Sequence, residues 1–129
     1  METRTTRRAI KTFKDLEVYE ESFRLAMDIV AVTKLFPKDE QYALTSQMRN
    51  ASRSVPANIA EGWAKRRHDM IFKRQLLDAL GSVNEMLVWL DMALACGDLS
   101  DASHGSLAQS DAVLVRRLHQ LLTRWKTFT

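Results

Sequence analysis

Chain breakers are scarce. Four glycines and two prolines among 129 residues leave little punctuation for many short strands and turns, and they favour long helices. A single cysteine, Cys96, excludes an internal disulfide framework and a zinc site built from several cysteines. The most apolar run, Met86 to Cys96, is interrupted by Asp91 and is too short to span a bilayer. The first residues lack the apolar core of a secretory signal, so a cytoplasmic protein with no membrane partner is the expectation. The four glycines are isolated, and none builds a phosphate-binding loop. His68, His104 and His119 have no partner at a metal-binding spacing such as H-E-x-x-H. Small helical ribonucleases often carry an arginine several residues ahead of a catalytic histidine. Here Arg116 precedes His119 by three, and no arginine stands five to seven residues before any histidine. The expectation is therefore no catalytic residue, no metal and no cofactor: a protein that is not an enzyme.

What is present points to one soluble domain. Apolar residues make up 46% and charged residues 27%, enough of each for a packed core under a solvated surface. The stretch Leu44 to Gly62 is the most informative. Leu44, Met48, Ala51, Val55 and Ile59 fall at helical spacing, and Pro56 sits inside that pattern. A proline there removes a helical hydrogen bond and costs about 3 kcal/mol in an exposed helix. The five apolar residues are therefore expected to face a core that compensates, while Arg49 and Arg53 lie on another face. The same periodicity predicts four helices, at about 15–35, 42–64, 70–96 and 101–125. In the first, Leu16, Tyr19, Phe23, Ala26 or Met27, Val30 and Thr33 read as the core seam. In the third, Phe72, Leu76, Ala79, Val83, Met86, Leu90 and Leu94 form a seam that Leu77, Leu80, Leu87 and Val88 widen, so burial on more than one side is expected. Leu107, Leu114, Leu118, Leu121, Leu122 and Trp125 carry the fourth, with Ser100 as its cap and Gly97 as the stop before it. The architecture expected is all-α, an antiparallel up-down four-helix bundle over residues 15–129. It follows a basic arm, residues 1–14, that is either a solvated terminus or a segment ordering on nucleic acid.

Charge is distributed in blocks of alternating sign. Residues 47–74 carry seven basic and two acidic side chains, and residues 75–110 carry five acids and no Lys or Arg. The candidate nucleic-acid contacts are Arg49, Arg53, Lys65, Arg66, Arg67, Lys73 and Arg74, with Arg116, Arg117 and Arg124 as a second basic group. Few aromatics interleave with them. Trp63 adjoins the cluster, but a core position suits it better than stacking on a base. Such a surface fits recognition of phosphate backbone or shape rather than base reading. The acids Asp78, Glu85, Asp91 and Asp98 recur along the third helix and read as a solvated or interfacial face.

Several segments resemble a known family. They are Phe13-Lys-Asp-Leu-Glu-Val-Tyr19, Leu35-Phe-Pro-Lys38, Leu44-Thr-Ser-Gln47, Ser54-Val-Pro-Ala-Asn-Ile-Ala-Glu-Gly62, and Ala79-Leu-Gly-Ser82 with Glu85. Together they resemble the small bacterial four-helix-bundle proteins encoded within intervening sequences of large-subunit ribosomal RNA genes. That group is similar in fold to the accessory variability determinant proteins of diversity-generating retroelements. The resemblance covers about residues 13–125, and Ser54–Gly62 is its most specific part. It implies a ring-like homopentamer. For the retroelement relatives it implies a basic surface that binds RNA or DNA and a reverse transcriptase partner. It brings no catalytic residues. Asn50, Arg53 and Asp78 depart from the family pattern, where a base, an apolar residue and an apolar residue are usual. Two functions stay open at this point. One is a nucleic-acid-binding oligomer, with RNA the first candidate; the other is a homo-oligomeric scaffold whose charges serve assembly.

Overall fold

The computed structural model describes residues 9–125. Most of the basic arm, including Arg4, Arg7 and Arg8, lies outside the described residues, as does Lys126. Four helices make up the fold: α1 (Glu17–Thr33), α2 (Ser46–Ala64), α3 (Asp69–Ala95) and α4 (Asp101–Arg124). No strand occurs among the described residues. Each helix packs on its neighbour in the chain, and α4 closes back on α1. The result is an up-down bundle in which α1 and α3 stand diagonally opposite.

Local chemistry sets the helix ends. Phe13–Asp15 forms a 3₁₀ turn closed by a reciprocal cap. The Thr12 hydroxyl accepts from the Lys14 amide at 3.2 Å, and the Asp15 carboxylate accepts from the Thr12 amide at 3.0 Å. That turn uses up the first residues of the expected helix, so α1 starts at Glu17. Between α1 and α2 the chain passes through a 3₁₀ turn, Lys38–Glu40, and a π-helical stretch, Gln41–Thr45, before α2 begins. Gly97, at φ 79°, ends α3 in a left-handed turn. The Gly97 amide donates to Leu94 and the Asp98 amide to Ala93, which satisfies carbonyls the helix leaves open. Ser100 caps α4, its hydroxyl accepting from the Ser103 amide at 3.1 Å.

On α2 the expected stripe is the observed one: Leu44, Met48, Ala51, Val55 and Ile59 are all buried. The helix continues through Pro56 for two more turns. On α3, Phe72, Leu76, Ala79, Val83, Met86 and Leu90 are fully buried, but Leu77 and Val88 are about half exposed, at 56% and 51%. The widened seam is thus covered on one side only within the subunit. On α1 the expected seam is corrected. Val18, Ser22, Leu25, Ala26, Ile29 and Thr33 face the core, while Phe23 and Met27 are exposed. The helix is apolar on two adjacent faces, and the core-facing one contains Ser22 and Thr33. Their hydroxyls donate to the Tyr19 and Ile29 carbonyls, which lets polar residues sit in the seam at little cost.

The motif Ser54–Gly62 is a packing device aimed at α3. Ser54 donates to the Ser82 hydroxyl. Gln75 donates to the side-chain oxygens of Asn58, at 2.7 Å, and Glu61, at 3.2 Å. At Gly62 the helices come so close that a Cβ would lie 2.9 Å from the Gln75 Cβ and 3.3 Å from the Phe72 ring. The Gln75 Cβ is fixed to the backbone and has no way to yield except by moving α3.

One acid interrupts the core. Asp111 is fully buried on α4 between Leu107 and Leu114, and neither of its carboxylate oxygens has a hydrogen-bond partner among the described residues. Burial pushes its carboxyl from 3.8 up to about 7.

Two predictions concern this core. Gly62→Ala should destabilise the bundle by about 1–2 kcal/mol, because the clash outweighs the gain in helix propensity; chemical denaturation measures it. Below about pH 4 the Asp111 carboxyl is protonated whether folded or not. As pH rises the unfolded chain ionises first, so stability falls until about pH 7 and the loss is then complete. The shift from 3.8 to about 7 corresponds to about 4 kcal/mol. Asp111→Asn should raise the unfolding midpoint at pH 8 and flatten its decline between pH 4 and 7.

Candidate nucleic-acid interface

The up-down order brings the α2–α3 turn, the start of α1 and the end of α4 to one end of the bundle. Aromatic packing fixes this arrangement. The Trp125 ring centroid lies 4.4 Å from that of Phe72 and 6.2 Å from that of Trp63. The two basic groups that are separate in sequence therefore meet. Lys65, Arg66 and Arg67 occupy the turn, Lys73 and Arg74 the first turns of α3, and Arg124 the last turn of α4. Lys11 and Lys14 flank the capped turn before α1 and join the same end. They belong to the arm in the sequence and are residues the candidate set lacked; Phe13, between them, stacks edge-on with Tyr19 at 4.9 Å.

Each basic side chain has its own surroundings. Arg67, Arg74 and Arg124 are exposed and make no ion pair among the described residues. Arg66 lies over the Trp63 ring, 4.2 Å from its centroid, and donates to the Trp63 carbonyl at 3.0 Å. Trp63 is buried beneath it, so the indole orients an arginine and is itself covered. Lys65 pairs with Glu61 at 3.7 Å and Lys73 with Asp69 at 3.2 Å. The first pair is exposed and the second about one-third exposed; one-turn pairs of this kind are worth a few tenths of a kcal/mol.

The other candidates stand apart. Arg49 is half-buried; its Nε donates to the Thr33 hydroxyl at 2.9 Å and a terminal nitrogen donates to the Val30 carbonyl at 3.5 Å. It clasps α2 to the end of α1, away from the basic end. Arg53 is exposed midway along α2, beside an apolar groove. Arg116 is exposed on α4. Arg117 pairs with Glu21 and, at 3.7 Å, with Glu17. Burial raises the Glu21 pKa and the charge of Arg117 opposes that rise.

The opposite end is acidic. Asp39, Glu40, Asp91, Asp98 and Asp101 gather there around Lys34 and Lys38. A hydrogen bond with Asp98 raises the Glu40 pKa, helped by desolvation and by the Asp98 charge. His104 meets Asp91 at 2.8 Å. No group of three or more His, Cys, Asp or Glu suited to a metal occurs among the described residues, and no described helix is long and apolar enough to cross a membrane. At the other end the bases outnumber the acids Asp15, Glu17, Glu20 and Glu21 at the start of α1 and Glu61 and Asp69 beside the turn, so the bundle is polar along its length and its basic end can hold phosphate oxygens.

Residues 14–120 match the family described as 23S rRNA-intervening sequence protein. A crystal structure of a protein of unknown function from the S23 ribosomal protein family of Bacteroides thetaiotaomicron has a similar fold. Its TM-score is 0.75 at 20% sequence identity, over 82% of this chain and 95% of that one. No curated protein matches the sequence. Neither description names an enzymatic activity.

The clasp role of Arg49 has a measurable signature. Arg49→Ala should lower stability by about 1–2 kcal/mol, since it leaves the Thr33 hydroxyl and the Val30 carbonyl short of a charged donor. Arg67→Ala should leave stability within about 0.5 kcal/mol of wild type. Thermal denaturation of the two variants side by side checks both.

Proposed function

The chain belongs to the 23S rRNA-intervening sequence protein family, and on that premise we propose that it is a non-enzymatic, homo-oligomeric nucleic-acid-binding protein of the cytoplasm, with RNA as its ligand. The observation that carries this reading is the convergence of Lys65, Arg66, Arg67, Lys73, Arg74 and Arg124 on one end of the bundle, held there by Trp125 against Phe72 and Trp63. Three of these arginines, Arg67, Arg74 and Arg124, make no ion pair among the described residues. The patch of one subunit is moderate. Repeated by symmetry on one face of an oligomer, it becomes a field that attracts a polyanion. Contact runs through phosphates, since Trp63 is covered and, among the described residues, no other aromatic stands free among these bases. The relation to retroelement accessory proteins belongs to the same proposal: a ring with one basic face presents RNA or DNA to a reverse transcriptase.

A homo-oligomeric scaffold with no nucleic-acid role is the second reading. The exposed apolar side chains of α1 and α3, Phe23, Met27, Leu77 and Val88, favour it, because they call for a protein partner whether or not nucleic acid binds.

Electrophoretic shift of a structured RNA over a salt series tests the first reading. Binding through about four phosphates should weaken with a log–log salt slope of about −3. Replacing Arg66, Arg67, Arg74 and Arg124 together with Glu should weaken binding at least ~100-fold while helicity is kept. Absence of any shift at low salt leaves the scaffold reading.

A further inference from the structure

The bases of the basic end are held in different ways, and Arg66 differs from the rest. Arg67, Arg74 and Arg124 are exposed and make no ion pair among the described residues. Lys65 and Lys73 each reach an acid one turn away. Arg66 is half-buried, and a single residue holds it twice. Its guanidinium carbon lies 4.2 Å from the centroid of the Trp63 ring, and its Nη1 donates to the Trp63 carbonyl at 3.0 Å. The ring contact sets how high the guanidinium sits, and the hydrogen bond sets its direction. Together they remove most of the rotamer freedom of a long side chain.

The support is itself fixed. Trp63 is 8% exposed, and its ring meets that of Trp125 at 6.2 Å. Its carbonyl also accepts from the Arg66 amide at 3.2 Å, so backbone and side chain of Arg66 are tied to one atom at the end of α2. The Nε and Nη2 groups of Arg66 meet no acceptor among the described residues. Those two nitrogens form the edge by which an arginine grips two oxygens of one carboxylate or phosphate. A free arginine loses conformational entropy when a ligand holds it, whereas Arg66 has already lost it in folding.

We propose that Arg66 is the fixed phosphate ligand of the basic end, taking two oxygens of one phosphodiester on Nε and Nη2, and that Trp63 is the residue that positions it. Arg67, Arg74 and Arg124 supply charge whose placement matters little. The proposal rests on the reading of this end as an RNA-binding surface and adds a division of roles within it.

Charge-conserving variants separate those roles. Binding of a fluorescent hairpin RNA is followed by anisotropy over a salt series. The proteins compared are wild type, Arg66→Lys, Arg67→Lys, Trp63→Phe, and Arg66→Lys combined with Trp63→Phe. A lysine keeps the charge and loses the planar fork. Arg66→Lys should therefore weaken binding about tenfold, with an unchanged salt slope because no charge is removed. Arg67→Lys should stay within about twofold of wild type. Phenylalanine keeps an apolar ring but is a poorer partner for a cation, so Trp63→Phe should weaken binding about threefold. Added to Arg66→Lys it should cost nothing more, since its effect passes through Arg66. A Trp63 that only fills the core would give the same loss in both backgrounds. The two arginine variants leave the core untouched, so their comparison decides the matter even where Trp63→Phe melts early. Equal effects of Arg66→Lys and Arg67→Lys, or a Trp63→Phe loss that is independent of Arg66, overturn the proposal while RNA binding stands. A wild type that binds no hairpin RNA at low salt overturns the RNA reading and this role with it.

Discussion

The close approach of α2 and α3 is the constraint on which the rest of the bundle depends. Gly62 allows the two backbones to near contact over Phe72 and Gln75. Ala79 and Ser82 continue a small-residue track on α3, fully buried at Ala79 and hydrogen-bonded to Ser54 at Ser82. The polar rungs at Ser82 and Gln75 lie about two turns apart and fix both rotation and sliding of α2 along α3, which apolar contacts alone do not do. With that pair set, Phe72 meets Trp125, and the end of α4 is placed. Everything at the basic end follows from this chain of contacts: the turn carrying Lys65 to Arg67 is the short link that the close approach requires, and Arg124 arrives with Trp125.

The polarity of the bundle has a consequence for its energetics. Bases outnumber acids at one end and acids outnumber bases at the other, and Arg67, Arg74 and Arg124 make no ion pair among the described residues. An unpaired carboxyl buried at Asp111 adds a second source of instability. Sites that lower stability in this way are kept where a partner or ligand relieves them. For the basic end, the polyanion of the proposed function would supply that relief. For Asp111, which lies among apolar residues on α4 with only the desolvation of its own carboxyl shifting it, the structure shows no relief except protonation.

Much of this was legible in the sequence, for physical reasons that differ from place to place. The α2 stripe could be read because its large apolar side chains fall on one face, while Arg49, Arg53 and Asn58 lie off it. The α1 seam could not. Tyr19, Phe23, Met27 and Val30 make a stronger hydrophobic pattern than Val18, Ser22, Leu25 and Ile29, yet the weaker pattern faces the core. Periodicity identifies a face and cannot say which of two faces meets the same subunit. Asp111 was visible as an acid at a seam position, four residues after Leu107 and three before Leu114, but only burial distinguishes it from the solvated acids of α3. Arg49 and Arg67 look alike in sequence. The tertiary fold alone tells a clasp from a free charge, since the acceptors of Arg49, Thr33 and Val30, lie on another helix. The union of Arg124 with the α2–α3 turn likewise follows from topology.

The π-helical stretch before α2 bears on how such a chain varies over time. A π turn holds one residue more than an α turn, so Gln41–Thr45 is a local bulge of a single residue. Helices do not ordinarily absorb insertions or deletions, because adding or removing one residue rotates everything beyond it by about 100°. Here the bulge includes Leu44, the first residue of the stripe, and lies ahead of Met48, with Tyr42 exposed within it. A relative lacking one of these residues would close the bulge into regular helix and keep Met48, Ala51, Val55 and Ile59 in register with α3. The start of α2 is the slot where chain length can drift among homologues while the packing of Gly62 stays fixed.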